Sequence, residues 1–376
     1  MKILAVDVGT GTQDILLFDS DQEIENSLKM VMPSPTVLVA NRIREATAKR
    51  ESVVLSGVMM GGGPCAWAAQ DHTKAGLPLL ATPDAARTFN DELDLVEKQM
   101  GIKIVGEDEA AQMAKRQGIA AIQMRDVDLA AIRSAFASFG VTLEPDALAL
   151  AVFDHGNAPP GYSDRQFRFD YIAERISTAG RKPRTAVEQL AMFAFRRKEI
   201  PARMTRFEAV AHSANFDGPM LLMDTAPAAV LGALEDRRVH TRQRQLIANV
   251  GNFHTLAFRL GPEGIEGVFE HHTGELTREG LEIYLRKLAA GTLTHQEVFA
   301  DMGHGALMLD PRPAQLDGVT VTGPRWSLIR GSSLDPYFAA PYGDMMMAGN
   351  YGLLRAYAVN APEAAELINM RLHRGQ

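Results

Sequence analysis

Lys2-Ile3-Leu4-Ala5-Val6-Asp7-Val8-Gly9-Thr10-Gly11-Thr12-Gln13-Asp14-Ile15-Leu16-Leu17-Phe18 is two apolar runs joined by a Gly- and Thr-rich turn. The stretch reads as a β-hairpin. Neither run alternates apolar with polar residues. Both faces of each strand are therefore expected to be covered, as in an α/β sheet. The turn brings several backbone N–H groups and hydroxyls to one point, and glycine lets a ligand approach the backbone closely. Such concavities bind anions, phosphates above all. Asp7, at the end of the first strand, is placed to hold a hydrated Mg²⁺ beside that phosphate. A Gly-Thr hairpin of purely structural origin is the competing reading of the same residues.

Working outward, Val53-Val54-Leu55 is a third strand leading into the loop 57–63. Thr82 is expected to cap a helix with Pro83 at its first position. Phe89, Leu93, Val96 and Met100 follow at helical spacing, and Gly101 stops it. Asp128 caps a second helix carrying Leu129, Ile132, Phe136 and Phe139 on one face. Residues 148–153 form a buried-type strand that ends in the polar loop 154–161. The basic segment 181–206 reads as a solvated helical face. Strands and helices then alternate through 220–223, 226–233, 245–250 and 255–260, with no repeat of fixed period. That alternation indicates an α/β protein.

The chain's 376 residues suggest two domains or three. A 46% hydrophobic share and 23% charge are ordinary for a globular protein. A net charge of −7 argues against a protein devoted to nucleic acid. Cys65 is the one cysteine. It excludes an intramolecular disulfide, a cysteine-only iron–sulfur cluster within one chain and a Cys-rich zinc site. The first apolar stretch, 3–6, is too short for a signal peptide, and Asp7 interrupts it. The uncharged run 52–70 is long enough to span a membrane, but Gly61, Gly62, Gly63 and Pro64 break its middle. A soluble, cytoplasmic protein with no membrane or nucleic-acid partner is expected.

A strand, an Asp-x-Gly-Thr turn and a second strand at the start of a chain resemble the first phosphate loop of the actin, heat-shock-chaperone and sugar-kinase ATPase superfamily. Further motifs follow in that superfamily's order. Asp224-Thr225-Ala226-Pro227-Ala228-Ala229-Val230-Leu231-Gly232-Ala233 is similar to its connecting helix, with Asp224 in place of Glu or Gln. Asn249-Val250-Gly251-Asn252-Phe253-His254-Thr255 looks like the second phosphate loop, with Asn249 for Asp and Asn252 and Phe253 for glycines. Val319-Thr320-Val321-Thr322-Gly323-Pro324 resembles the adenosine motif. Asp344-Met345-Met346-Met347-Ala348-Gly349-Asn350-Tyr351-Gly352 resembles the closing helix.

The resemblance implies two ribonuclease-H-like domains around an interdomain nucleotide cleft that takes ATP with Mg²⁺. The first would cover 1–235 with an insertion at about 60–215. The second would cover 236–376, its last helix packing back toward the cleft. Gly9, Thr10, Gly11, Thr12 and Gln13 would grip the phosphates from one side. Asn249, Gly251, Asn252, His254 and Thr255 would grip them from the other. Asp7 would bind the Mg²⁺ shell, Gly323 and Gly349 would let adenosine lie against backbone, and Asp224 would orient water or a substrate hydroxyl. Asn249 matters because a neutral amide holds Mg²⁺ less well than a carboxylate. Weak binding or slow hydrolysis follows from it.

Within the superfamily, the whole chain resembles a family labelled pyruvate formate-lyase activating enzyme. Gly57-Val58-Met59-Met60-Gly61-Gly62-Gly63-Pro64 and Asp154-His155-Gly156 with Pro159-Pro160-Gly161 carry that likeness. Known glycyl-radical activases need a three-cysteine iron–sulfur site, and this chain has one cysteine. The dehydratase-activating ATPases of the superfamily also use more than one cysteine per chain.

Histidine is the other conspicuous feature. Asp71-His72, Asp154-His155, Glu270-His271-His272 and Gly303-His304-Gly305 are polar clusters expected in loops. Imidazole and carboxylate suit zinc, iron or manganese. No pair has the i, i+4 spacing of a helical metal site. Each alone reads as a loop hydrogen-bonding group, with Asp154-His155 the exception. That pair follows a buried strand, where α/β proteins place functional loops, and offers a general base or substrate contact. Asp164, Arg165 and Arg168 suit an anionic small molecule, against the competing reading of a salt-bridged surface. Gly61 to Gly63 form an anion-binding turn or a close-packing device, and Met345-Met346-Met347 read as core.

These readings converge on an ATP-binding enzyme, either a small-molecule phosphotransferase or an ATPase coupled to a partner protein. The alternatives are a nucleotide-gated interaction protein with little catalysis and a metal-dependent hydrolase using the His-rich loops.

Overall fold

The computed structural model describes residues 1–179 and 185–372. Arg181, Lys182 and Arg184 of the basic segment lie outside the described residues.

The opening hairpin forms as expected. β1 (Lys2–Val8) pairs antiparallel with β2 (Thr12–Asp19), and β3 (Leu28–Pro33) pairs with β2. Ile3, Leu4, Ala5 and Val6 are all fully buried, so consecutive residues on opposite faces of β1 meet packed layers. The chain then leaves this sheet. The helix Pro35–Lys49 leads into a parallel unit of β4 (Ser52–Gly57), β5 (Leu79–Ala81), β6 (Lys103–Ile104) and β7 (Ile119–Met124). Its strand order is β6-β5-β4-β7, and it has a core of its own around Ile43, Val53, Leu55 and Ala69.

β8 (Ala147–Val152) returns to the first sheet beside β1 and parallel to it. β9 (Ala194–Arg196) and β10 (Met220–Asp224) complete the order β3-β2-β1-β8-β10-β9. The second six-stranded sheet holds β11 (Gln245–Val250), β12 (His254–Gly261) and β13 (Gly264–His272). β14 (Gly305–Met308), β15 (Gly318–Thr322) and β16 (Tyr337–Phe338) join it in the order β14-β13-β12-β11-β15-β16. Each large sheet is an antiparallel meander whose first strand carries a parallel crossover strand on its other side. That is ribonuclease-H-like topology, twice, in an α/β protein with a third, smaller sheet.

The excursion expected at about 60–215 differs in extent. The inserted parallel unit begins at Pro35, and β8 and β9 of the first sheet thread through the expected range. The single helix expected from Pro83 to Met100 is two, Pro83–Ala86 and Leu93–Met100. Asn90 breaks it: its side-chain oxygen accepts the Glu92 N–H at 2.8 Å, a local bond that competes with the helical one. Asp128 caps Leu129–Ala137 as expected, accepting from the Ala131 N–H.

Two helices join the halves. Thr225–Ala233 links β10 to the second sheet, and Ala348–Asn360 returns from it. They cross at backbone contact. A Cβ on Gly232 would overlap the Ala348 carbonyl, and one on Gly352 would overlap that of Ala228. Asn350 pins the returning helix to the first sheet, donating to Ala5 O at 3.0 Å and Asp14 O at 2.8 Å. Ile368 and Leu372 of the last helix are buried in the same core as β1. Among the described residues no helix is long and apolar enough to cross a membrane.

Candidate functional site

The two hairpin turns are built alike. Gly9 N–H donates to Thr12 O at 2.9 Å, and Gly251 N–H donates to His254 O at 3.0 Å. Their registers match, with Val8 opposite Gln13 and Val250 opposite Thr255. The turns face each other across a cavity of about 470 Å³. A Cβ on Gly11 would lie 2.6 Å from Asn252 Nδ2, so the second turn closes on the first where the first has no side chain. Gly9, Thr10, Thr12, Asn249, Gly251, Asn252 and His254 line the cavity. Gln13 turns away to donate to Pro33 O, and buried Thr255 shares a hydroxyl bond with Thr273.

Asp7 and Asp14 stand opposite each other on β1 and β2 and both line the cavity. Thr225 Oγ1 donates to Asp7 Oδ1 at 2.6 Å. Asp14 Oδ1 is buried with no hydrogen-bond partner. Burial pushes the Asp7 carboxyl up to about 7. Burial and then the charge of Asp7 push Asp14 up to about 8. Two desolvated carboxyls with an orphaned oxygen fit a hard cation such as Mg²⁺. The matching pair in the second hairpin is Asn249 and Leu256, so of the two hairpins only the first carries a carboxyl pair. Gly349 lines the cavity too, but a Cβ there would overlap the Asp7 carboxylate. Gly323 has φ +98°, and a Cβ would lie 2.6 Å from Val250 O.

The inserted unit supplies a third wall. Gly63, at φ +61°, lies against both turns: a Cβ built there would touch Phe253 and Thr10 at 3.4 Å, an ordinary van der Waals distance. Trp67 and Phe253 pack with ring centroids 5.6 Å apart. Arg206, on the helix Thr205–Ser213 outside the inserted unit, packs against this wall, which corrects its reading as part of a solvated face. It makes two 2.8 Å bonds to Asp126 and donates to Phe153 O at 2.6 Å. Met345 and Met346 line the cavity while Met347 is core.

Asp154 is buried and lines the cavity, its oxygens accepting Gly156 N–H at 2.8 Å and Phe207 N–H at 2.9 Å. It thereby shapes the loop that presents His155. The His155 Nδ1 lies 2.8 Å from Gly156 O. A carbonyl only accepts, so Nδ1 is the donor in this contact, and in the neutral ring Nε2 is then the acceptor. Asp164 and Arg165 also line the cavity, and Arg165 donates to Phe299 O and Gly303 O.

Arg168 and Asp224 are displaced from their expected roles. Arg168 is fully buried, pairs with Asp224 and makes bonds of 3.0 and 2.9 Å to Glu270. It also donates to Asp154 O. Asp224 caps the linking helix through the Ala226 N–H. Neither reaches the cavity, because each spends its hydrogen-bonding capacity on the other and on the sheets they join.

Three histidines converge, which sequence spacing did not show. His254 and His272 are direct partners across β12 and β13, and His304 precedes β14. One ring nitrogen of each lies within 4.8 Å of the others. All three line the cavity. Burial holds His254 and His272 below the ordinary imidazole value and takes His304 down to about 2. His72, by contrast, is a buried structural group between Thr47 Oγ1 and Pro78 O.

No curated protein matches the chain. A solved ROK hexokinase from Thermus thermophilus is 12% identical, with 95% of this chain and 99% of that one covered at a TM-score of 0.30. A PPX-GPPA enzyme from Aquifex aeolicus is 9% identical, with 86% and 68% covered at a TM-score of 0.23. The fold assignment rests on strand order, not on these likenesses. Cys65 is buried, and burial pushes its thiol up to about 11. One such thiol cannot build a three-cysteine cluster. A family model matches residues 60–328, and the chain belongs to that family, described as "Putative pyruvate format-lyase activating enzyme (DUF1786)".

Proposed function

We propose that the chain binds ATP with Mg²⁺ across the cleft and transfers the terminal phosphoryl group to a small acceptor or to water. One observation carries this reading: two matched hairpin turns, one from each sheet, enclose the buried Asp7–Asp14 pair. Asp7 and Asp14 would hold the ion through its water shell. Thr10, Thr12 and the turn backbones would hold phosphate oxygens. The ion supplies charge neutralisation on those oxygens, and the rest of phosphoryl transfer is positioning. His155 accepts the proton of the attacking hydroxyl at Nε2, and Asp154 holds its loop. Arg165 holds the opposite wall through two carbonyls of the second domain.

Asn249 and Leu256 favour a second reading of the same site. With no carboxylate on the second hairpin, turnover is slow, and nucleotide acts as a gate for a protein partner.

Thermal unfolding with and without nucleotide tests both. A ligand at about 100 times its Kd stabilises by roughly 2.7 kcal/mol. For a chain of this length that raises Tm by several degrees, and the rise requires Mg²⁺. No Mg²⁺-dependent rise with ATP or ADP would sink the proposal. Phosphate release measured alongside separates an enzyme from a gate.

A further inference from the structure

We infer that His254, His272 and His304 form a binding site for a divalent transition-metal ion, separate from the Asp7–Asp14 pair in the same cleft. The three rings come from three different segments, and their centroids are 5.0, 5.1 and 4.6 Å apart. A tetrahedral ion with bonds of about 2.0–2.1 Å to imidazole sets the nitrogens about 3.4 Å apart, so the observed spacing closes with ring movements of roughly an ångström or less. His304 Nδ1 is buried without a hydrogen-bond partner. Simple aromatic packing would not need a nitrogen left bare in a buried place.

The surroundings hold the rings in place. Phe153 stacks flat on His254 at 4.0 Å, and the Arg168 guanidinium lies 4.4 Å over the Phe153 ring. The β12–β13 ladder fixes His254 against His272. Glu270 Oε2 lies 3.9 Å from His304 Nδ1, but Arg168 holds that carboxylate. Among the described residues no thiolate or carboxylate completes the group. A set made only of imidazole suits zinc, cobalt, nickel, copper or iron and not Mg²⁺. With three protein donors facing a cavity, the ion keeps a position for water or for an anionic oxygen of a substrate.

The test uses the whole chain, stripped with a chelator, dialysed and titrated with Zn²⁺ or Co²⁺ in the absence of nucleotide. One equivalent binds tightly, and Co²⁺ shows the visible ligand-field bands of a four- or five-coordinate ion. His272→Ala and His304→Ala each weaken binding by more than about 100-fold, above the range typical of outer-shell changes. His272 is only partly buried, so its variant carries the test if His304→Ala fails to fold. Asp7→Asn leaves the titration unchanged. The inference is overturned if binding is weak and of many equivalents, if both histidine variants bind as the parent does, or if Asp7→Asn alone abolishes binding.

Discussion

Asp7 faces Asp14 across the first hairpin, and burial holds both carboxyls protonated well above the usual range, at about 7 and about 8. A carboxyl with a raised value stabilises the fold only while it keeps its proton. Below about pH 4 the folded and unfolded states are both protonated. As pH rises from 3.8 towards 7, the unfolded chain ionises first, and stability falls. At about 1.4 kcal/mol per pH unit, Asp7 alone accounts for a loss on the order of 4 kcal/mol. Asp7→Asn removes that loss. Without Mg²⁺ or nucleotide, the variant should unfold at higher urea than the parent at pH 8, with little difference at pH 4. The same variant should show no Mg-ATP shift in Tm. A variant less stable than the parent at pH 8 would contradict the picture of a desolvated carboxyl pair awaiting a cation.

Gly349 sits where a Cβ would overlap the Asp7 carboxylate. Gly349→Ala should displace Asp7 and abolish Mg-nucleotide binding, with an overpacking loss of about 1–3 kcal/mol in stability. Calorimetry with Mg-ATP reads the first and urea unfolding the second. Unchanged nucleotide affinity would show that Asp7 does not hold the ion.

His155 presents a free Nε2 because its Nδ1 is committed to Gly156 O. His155→Gln should lower phosphoryl transfer by about 10²–10⁴. The Mg-nucleotide shift in Tm should stay as in the parent. Equal turnover in the two proteins would remove His155 from the chemistry and move attention to Asp164.

Arg168 neutralises Asp224 and Glu270 inside the protein. Arg168→Met leaves two buried carboxylates uncompensated, at a cost of about 3–5 kcal/mol. Denaturant unfolding should show that loss, while folded protein keeps the parent's nucleotide affinity. A variant with native stability and weakened acceptor affinity would restore Arg168 to a substrate role.

Much of the first hairpin, the matched second turn and the strand–helix alternation could be read directly from residues. Continuous apolar runs, Gly-containing turns and the Asp128 cap act within a few positions of themselves, through backbone hydrogen bonds and burial. The glycines of the two turns were legible for the same reason. Asn90 interrupting a helix was a local signal too, but helical spacing on both sides of it masked the break.

Convergence of side chains was decided only by the tertiary structure. Arg168 reads as a surface cation because its partners lie 56 and 102 residues away. Arg206 reads as solvated because Asp126 is 80 residues away. Asp14 looks like an ordinary strand residue until the register sets it against Asp7. His254 reads as a residue of the second phosphate loop, and His272 and His304 as unrelated loop residues, until the β12–β13 pairing and the return of β14 bring their rings together. Local pattern settles which backbone groups bond and which faces are apolar. Which charged and ligating groups meet in one cleft depends on strand register and on crossovers that bring distant segments side by side.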